Sequence, residues 1–249
     1  MLMENLAYAL PPPGPLVLAA TALFLDLDGT LAPIAGHPRD VGPDPRRTAL
    51  LERLETQLEG RLAIISGRTL EDIDRILEGR VVAVAGVHGL VRRHADGRLV
   101  EALAHPRIAR AADGLAAFAA RDPGLMVEDK GLSVALHFRR ARHLADAARA
   151  CARALALETG LTLQDGDMVA ELRTPGAGKG DSVRAFMAAA PFAGATPVFV
   201  GDDATDEDGF LAAQALGGAG ICVGARRPTL ARFRLAGVEA ALTWLEAAR

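Results

Sequence analysis

The sequence has 249 residues, half of them hydrophobic, which is enough for one large domain or two small ones with a true core. The formal net charge is −3, and lysines and arginines are spread along the chain, which argues against nucleic acid or an anionic membrane as a partner. The longest apolar stretch, residues 16–25, is too short to span a bilayer, and no basic segment precedes it. We therefore expect a cytoplasmic protein.

Five short aliphatic or β-branched runs predict strands that are buried on both faces, because they are continuous rather than alternating. They are residues 22–27, 62–66, 81–85, 197–201 and 220–224. Apolar residues at helical spacing separate them over 44–58, 69–79 and 205–218. Strands that alternate with helices of this length predict an α/β fold with a doubly wound parallel sheet.

The middle of the chain breaks this alternation and predicts a helix, two strands, a long alanine-rich helix and two more strands. These elements are residues 106–122, 124–131, 132–139, 144–160, 161–166 and 168–173. Residues 132–139 alternate with a period of two, as in a strand with one packed and one available face. We therefore predict that residues 103–173 form an α+β insert with an antiparallel sheet, within a core made of residues 1–102 and 174–249.

Acidic and polar residues follow several predicted strands, at the edge of the sheet where parallel α/β folds bind ligands. They are Asp26 and Asp28 after the first strand, Ser66 and Arg68 after the second, and Asp202, Asp203 and Asp206 after the fourth. Acidic clusters at neighbouring strand ends would repel each other strongly without a cation between them. The candidate ligands all offer oxygen, and no histidine or cysteine stands at ligand spacing, so the pattern favours Mg²⁺ over Zn²⁺.

One isolated lysine, Lys179 in GAGKGDS, stands just before the predicted helix that leads into the fourth strand. The segment is not a P-loop, because Gly180 stands where that motif needs serine or threonine, and residues 217–223 lack the third glycine of a dinucleotide fingerprint. A lone aspartate after a strand is more often a turn residue or helix cap. Ser66 alone could cap a helix, and Lys179 alone could be a solvated charge. Their place in one series favours a functional site.

This set of residues suits the hydrolysis of a phosphate monoester. An aspartate can attack as a covalent nucleophile and divide the displacement into formation and hydrolysis of an intermediate. We expect Asp26 to attack, and Asp28 to protonate the leaving oxygen and then to activate water. Lys179 and the Ser66 hydroxyl would hold phosphate oxygens, and Mg²⁺ would reduce the repulsion between two anions.

The same residues resemble the four motifs of the haloacid dehalogenase superfamily, present here in order as DLDGT, IISGR, Lys179 and GDDATDED. The resemblance implies that Asp26 is the nucleophile and Asp28 the acid/base. It also implies that Mg²⁺ is held by the Asp26 carboxylate, the backbone carbonyl of Asp28 and Asp202, with Asp206 as a further ligand or a supporting neighbour. The insert is similar to the larger α/β cap of that superfamily, placed where a lid can close over a small substrate.

Further stretches look like the trehalose-6-phosphate phosphatase family. They are GVHG (86–89), VEDKGLSVALHFR (127–139) and VAELRTPGAGKGDSV (169–183). The resemblance runs from about Thr21 to the C-terminal helix, and it implies that Glu128, Lys130, Arg139 and Glu171 contact the sugar. Considered without the resemblance, carboxylates with a lysine or arginine can bracket sugar hydroxyls, and an exposed salt bridge is the alternative.

Three residues are left with two interpretations each. His88, in the GVHG turn, either positions the cap or substrate or makes a structural hydrogen bond. His137 shares the available strand face with Arg139, and a structural histidine is the favoured interpretation. Arg68 either binds substrate or pairs with an acid of the crevice. His88 and Arg68 are included among the candidate substrate-binding residues.

The site residues, together with the resemblance to this family, predict a Mg²⁺-dependent phosphatase of trehalose biosynthesis that converts trehalose 6-phosphate into trehalose and phosphate through an aspartyl-phosphate on Asp26. The alternatives are a phosphatase of another sugar or glycosyl phosphate, such as sucrose phosphate or mannosyl-3-phosphoglycerate, and a catalytically silent sugar-phosphate sensor. The presence of both Asp26 and Asp28, with Lys179 and the acidic last motif, argues against a silent protein, because a binding protein needs no acid/base. A phosphomutase is disfavoured because the cap motifs resemble the hydrolase. We expect a monomer whose partner is a small-molecule substrate.

Overall fold

The computed structural model describes residues 10–225 and 228–249. The chain divides into two compact units. Of the described residues, the first unit comprises 10–35, Arg39–Leu99, 178–225 and 228–249, and the second comprises Gly36–Pro38 and Val100–Ala177.

Twelve strands and seven α-helices lie within the described residues. The strands are β1 (Thr21–Leu25), β2 (Leu62–Ile65), β3 (Ala83–Gly86), β4 (Val91–Arg93), β5 (Leu99–Glu101), β6 (Met126–Asp129), β7 (Ser133–His137), β8 (Thr162–Gly166), β9 (Val169–Arg173), β10 (Thr196–Gly201), β11 (Ala219–Val223) and β12 (Phe233–Leu235). The helices are α1 (Pro45–Gln57), α2 (Leu70–Leu77), α3 (Ile108–Ala119), α4 (Ala145–Thr159), α5 (Lys179–Met187), α6 (Asp206–Ala215) and α7 (Val238–Glu246). Within these described ranges, no helix combines the length and the apolar character that crossing a membrane requires.

Eight strands form the large sheet, in the order β12-β11-β10-β1-β2-β3-β4-β5. The strands from β12 to β3 in this order pair in parallel, whereas β4 is antiparallel to β3. The predicted α/β fold with a parallel sheet is therefore confirmed. Strands β4, β5 and β12 were not predicted from the sequence, because each has only three residues and includes a charged side chain rather than a continuous apolar run.

The central strand β1 is packed on both faces, which explains its continuous apolar sequence. Leu23 and Leu25 belong to a core cluster with α1, α2 and α7, whereas Phe24 belongs to a second cluster with α5 and α6. Phe24 stacks on Phe186 and Phe192, with ring centroids 6.2 and 5.5 Å away. Helices thus cover both faces of the sheet, and the residues that follow β1 start from a fixed position.

The second unit contains a four-stranded antiparallel sheet in the order β6-β7-β9-β8. Val134, Leu136 and Leu172 form its core with α3 and α4, which cover one face. The alternate residues of the same strands, including Glu128 and Glu171, belong to the opposite face. This arrangement matches the predicted α+β insert with an antiparallel sheet.

Candidate active site

Asp26 directly follows β1 at the carboxyl end of the sheet. Its backbone amide donates to the carbonyl of Val200 in β10 at 2.9 Å, which extends the parallel pairing past the last residue of β1. The residue is only 4% exposed. Because β1 and β10 are neighbours, Asp26 emerges beside the acidic segment GDDATDED that follows β10.

The turn after Asp28 requires Gly29. Its φ is +85°, in the left-handed region that favours glycine, and a Cβ at this position would overlap the carboxylate of Asp202. The hydroxyl of Thr30 donates to the same carboxylate at 3.5 Å. The two acidic segments predicted to converge from neighbouring strand ends are therefore in contact.

Lys179, the first residue of α5, links these segments electrostatically. Its ammonium group donates to Oδ1 of Asp26 at 2.8 Å and to Oδ1 of Asp206 at 2.7 Å, and all three residues are buried. Burial alone would lower the pKa of Lys179, but the charges of Asp206 and Asp26 raise it above its ordinary value. The second oxygen of Asp206 accepts from the backbone amides of Asp202 and Asp203, both at 2.9 Å.

The carboxylates of Asp26, Asp202 and Asp206 each place an oxygen within 4.8 Å of the others. Burial raises the pKa of Asp26 well above its ordinary value and raises that of Asp202 to about 7. Lys179 contributes one positive charge against three carboxylates, so the cluster favours a further cation. Its donor atoms are all oxygen, which fits Mg²⁺ better than a metal that prefers nitrogen or sulfur.

Asp28 is paired with Arg68. Nε and Nη2 of Arg68 donate to the two carboxylate oxygens of Asp28 at 2.6 and 2.8 Å, and Nη1 lies 3.6 Å from the carboxylate of Asp72. Ser66 is buried, and its hydroxyl oxygen accepts from the backbone amide of Arg68 at 3.3 Å. Of the two interpretations of Arg68, the structure shows the pair with an acid, which is Asp28. A contact between Arg68 and substrate remains a prediction.

His88 lies in the turn after β3 and has a φ of 57°. Its backbone amide donates to the carbonyl of Ser66 at 2.9 Å, and its imidazole packs so closely on Gly67 that a Cβ there would overlap it. These contacts support the structural interpretation, in which His88 fixes the turn that carries Ser66. A contact between His88 and substrate remains a prediction.

Three of the four predicted sugar-contacting residues lie together on the polar face of the second unit. Nζ of Lys130 donates to Glu171 at 3.1 Å and lies 4.0 Å from Glu128. Ser133 donates to the other oxygen of Glu171 at 2.5 Å, and Nε2 of His137 is 2.8 Å from Glu128. Burial would raise the pKa of Glu128, but the hydrogen bond with His137 and the charge of Lys130 hold it below its ordinary value.

The fourth predicted residue, Arg139, has different contacts. Its guanidinium donates to the backbone carbonyl and the carboxylate of Asp167 at 2.8 and 2.9 Å. Asp167 lies in the turn between β8 and β9. The structure therefore places Arg139 in an ion pair with a turn residue, and a contact between Arg139 and the sugar remains a prediction.

Two further polar residues contact these groups and were not predicted from the sequence. One is Ser133, and the period-two alternation of its strand was a signal for it, because Ser133 falls on the same face as His137. The other is Asp208 in α6, whose carboxylate accepts from the backbone amide of Gly180 in α5 at 2.7 Å. Sequence spacing carries no signal for this contact, because it joins two separate helices.

Comparison with known proteins is consistent with this arrangement. A family model described as trehalose-phosphatase matches residues 24–239. Trehalose-6-phosphate phosphatase of Escherichia coli (strain K12) is 40% identical over 234 residues, which cover 93% of this chain and 88% of that protein. A crystal structure described as a trehalose-6-phosphate phosphatase related protein has a TM-score of 0.76 and 28% identity, and the match covers 90% of this chain and 95% of that chain.

The fold extends to a wider group. A phosphatase of the haloalkanoate (HAD) enzyme superfamily from Bacteroides thetaiotaomicron has a TM-score of 0.63 at 16% identity, over 96% of each chain, and thus shares the fold. The fold that the resemblance to this superfamily implies is therefore confirmed. The family match includes both acidic segments, Lys179 and the whole four-stranded sheet. The chain is a phosphatase, a hydrolase of phosphoric monoesters, and it belongs to the trehalose-phosphatase family.

Proposed function

We propose that this protein hydrolyses trehalose 6-phosphate to trehalose and phosphate through an aspartyl-phosphate intermediate on Asp26. The observation that carries the proposal is the buried contact of Lys179 with Asp26 and Asp206, in a chain that is 40% identical to a trehalose-6-phosphate phosphatase. A buried carboxylate beside a fixed cation is a suitable nucleophile for an anionic phosphate ester.

In the first step Asp26 attacks phosphorus. Oδ1 accepts the hydrogen bond from Lys179, so we assign the attack to Oδ2. The bond between Oδ2 and phosphorus forms while the bond between phosphorus and the sugar oxygen breaks. Asp28, in its acid form, gives its proton to the departing sugar oxygen, which leaves as a hydroxyl of trehalose.

In the second step water hydrolyses the intermediate. Asp28, now a carboxylate, takes a proton from the water molecule, whose oxygen bonds to phosphorus as the bond to Oδ2 of Asp26 breaks. Inorganic phosphate leaves, and both aspartates return to their starting forms. Arg68 donates one hydrogen bond to each oxygen of Asp28, so each oxygen keeps a second lone pair for the proton.

The acidic cluster identifies the residues that would hold Mg²⁺. We assign the carboxylates of Asp26 and Asp202 and the backbone carbonyl of Asp28 as ligands. Asp206 engages one oxygen with Lys179 and the other with two backbone amides, so we assign it to support the site rather than to coordinate. When bound, Mg²⁺ neutralises charge between the nucleophile and the phosphate.

The remaining residues would bind and orient the ester. Lys179 and the hydroxyl of Ser66 are assigned to the phosphate oxygens. Recognition of the sugar is assigned to the second unit as a specificity cap, through Glu128, Lys130 and Glu171. These three side chains offer two carboxylates and an ammonium group in one place, which suits a ring of neutral hydroxyls that both donate and accept hydrogen bonds.

A panel of phosphate esters tests the proposal. Release of phosphate is measured with trehalose 6-phosphate, sucrose 6-phosphate, mannosyl-3-phosphoglycerate and glucose 6-phosphate, each with Mg²⁺ and with a chelator. We expect the highest kcat/KM with trehalose 6-phosphate, and loss of turnover with the chelator. Rapid turnover of another ester, with trehalose 6-phosphate left intact, would contradict the assigned substrate. Absence of binding and turnover with all four esters would contradict a sugar-phosphate hydrolase.

A further inference from the structure

Lys179 stands between two glycines in the first turn of α5, and the phosphatase mechanism alone does not explain them. The segment GAGKGDS is not a P-loop, yet Gly178 and Gly180 flank the lysine directly. Gly178 has extended backbone, with φ −111° and ψ −171°, which any residue can adopt. The reason for glycine at Gly178 is therefore space rather than backbone conformation.

The space beside both glycines is occupied by the carboxylate of Asp208, which reaches across from α6. A Cβ on Gly178 would lie 2.7 Å from Oδ2 of Asp208, and a Cβ on Gly180 would lie 2.5 Å from Oδ1. Oδ2 accepts the backbone amide of Gly180 at 2.7 Å. A side chain at either position would overlap the carboxylate of Asp208, so only glycine fits at both. The carboxylate also accepts a hydrogen bond from the backbone of the residue next to Lys179.

This contact is separate from the ordinary capping of α5. The carboxylate of Asp181 accepts the amide of Gly178 at 2.9 Å and so caps the helix from within. Asp208 also lies 3.9 Å from Arg184, but both side chains of that pair are about half exposed, so the pair contributes little. What Asp208 adds is a charge-assisted hydrogen bond at the positive end of the helix, from a different helix.

The same helix that provides Asp208 also provides Asp206, so α6 holds Lys179 in two ways. Asp206 binds the ammonium group at 2.7 Å, whereas Asp208 binds the backbone one residue further along. A lysine side chain is long and has many rotamers, so its ammonium group stays in place only if its backbone is also fixed. A displacement of about 1 Å in an active site can lower a rate by roughly a hundredfold.

We propose that Asp208 is a positioning residue of the phosphatase, which fixes the backbone turn of Lys179 so that its ammonium group stays beside Asp26. The inference rests on the proposed function for Lys179 and Asp26. It predicts that the carboxylate of Asp208 affects catalysis only through the Gly178–Gly180 turn, and that an asparagine, which keeps an oxygen acceptor, replaces it in large part.

The test compares Asp208→Ala, Asp208→Asn, Gly178→Ala and the double variant Gly178→Ala/Asp208→Ala in the full chain with Mg²⁺. Arg184→Ala is the matched control, because it removes the exposed ion pairs of Arg184 with Asp181 and Asp208 but leaves the hydrogen bond between Asp208 and Gly180. Turnover is measured well below the unfolding temperature, with trehalose 6-phosphate and with p-nitrophenyl phosphate. The ¹⁵N resonance of the Lys179 ammonium group reports its position independently of turnover.

We expect Asp208→Ala to lower kcat by about tenfold, as for the loss of one charge-assisted hydrogen bond, and to shift or broaden the Lys179 ammonium signal. Asp208→Asn should keep most of the kcat and a Lys179 signal close to that of the unaltered protein. Arg184→Ala should resemble the unaltered protein in both measurements. Gly178→Ala should lower kcat alone but have no further effect when Asp208 is already alanine. We expect this coupling because the methyl group added by Gly178→Ala would overlap the carboxylate of Asp208, and that carboxylate is absent from the double variant.

Unchanged kcat and an unchanged Lys179 signal in Asp208→Ala, with only a lower unfolding temperature, would overturn the inference in favour of a structural role. Equal effects of Gly178→Ala in both backgrounds would also overturn it. The two proposals fail separately. If the unaltered protein cleaves p-nitrophenyl phosphate but not trehalose 6-phosphate, the assigned substrate is wrong, and the inference is judged on the aryl ester and on the Lys179 signal.

Discussion

The guanidinium of Arg68 donates a hydrogen bond to each carboxylate oxygen of Asp28, at 2.6 and 2.8 Å. Arg68 is buried, whereas the side chain of Asp28 is 33% exposed. The proposed acid/base is therefore accessible to solvent, whereas the arginine that holds it is buried. A bidentate pair of this kind fixes both the direction and the distance of a carboxylate.

Replacement of Arg68 by alanine should lower kcat for trehalose 6-phosphate by roughly tenfold, because Asp28 loses its fixed orientation, while KM changes little. Steady-state kinetics measure both. Arg75→Ala is the matched control, since Arg75 also pairs with Asp72 but has no contact with Asp28. A large rise in KM with kcat intact would show that Arg68 binds substrate instead.

Lys179→Met should lower the free energy of unfolding by about 3–5 kcal/mol, because it leaves the buried carboxylates of Asp26 and Asp206 without their cation. Denaturant unfolding measured without added metal tests this value. Arg46→Met is the comparison, because Arg46 pairs with Glu239 and Glu246 at the surface and should change stability little. Equal effects of the two substitutions would contradict the importance of the buried cluster.

Glu55 should make stability depend on pH. Burial raises the pKa of Glu55 to about 7, against a weaker lowering by the backbone amide of Val82, and one of its oxygens is buried with no hydrogen-bond partner among the described residues. For a carboxyl with a raised pKa, the folded state retains the proton longer, so the stability present below about pH 4.5 is lost as pH rises through about 7.

Relative to the unaltered protein, the Glu55→Gln variant should therefore gain more stability at pH 8 than at pH 5. Thermal unfolding at the two pH values measures the difference. Glu52→Gln, on the same helix but at an exposed position, is the matched control for the loss of one carboxyl group. A pH-independent effect of Glu55→Gln would contradict the raised pKa.

Ser133→Ala should raise KM for trehalose 6-phosphate several-fold, because it removes the 2.5 Å hydrogen bond that orients Glu171, and should leave kcat nearly unchanged. Turnover of p-nitrophenyl phosphate, which has no sugar, should be unaffected. Loss of activity toward both esters would indicate that Ser133 supports the unit as a whole rather than the sugar-binding group.

The sequence predicted the central strands and the convergence of acids well, because continuous apolar runs and strand-end carboxylates are local signals. The run that ends at Leu25 is apolar because both faces of β1 are packed, and Asp26 follows it in the chain itself. The approach of Asp26 to the acidic segment after β10 also followed from the predicted strand ends, since β1 and β10 pair directly.

What escaped prediction depends on contacts between distant segments. A pair of Arg68 with an acid of the crevice was one of two interpretations, but nothing near Asp28 in the sequence identifies Asp28 as that acid. Nothing near Arg139 indicates its pair with Asp167. The hydrogen bond between Asp208 and Gly180 likewise joins two separate helices, α6 and α5. Such pairings are set by how side chains pack in three dimensions, whereas sequence patterns report only periodicity and order along the chain.

Chemical trapping tests the central claim most directly. The protein is mixed with trehalose 6-phosphate and Mg²⁺, quenched during turnover and treated with borohydride, which reduces an aspartyl-phosphate to homoserine, and the peptides are analysed by mass spectrometry. The account predicts homoserine at position 26, dependent on substrate and absent from Asp26→Asn, which should also release no phosphate. Steady phosphate release without modification of Asp26, or full turnover by Asp26→Asn, would contradict it.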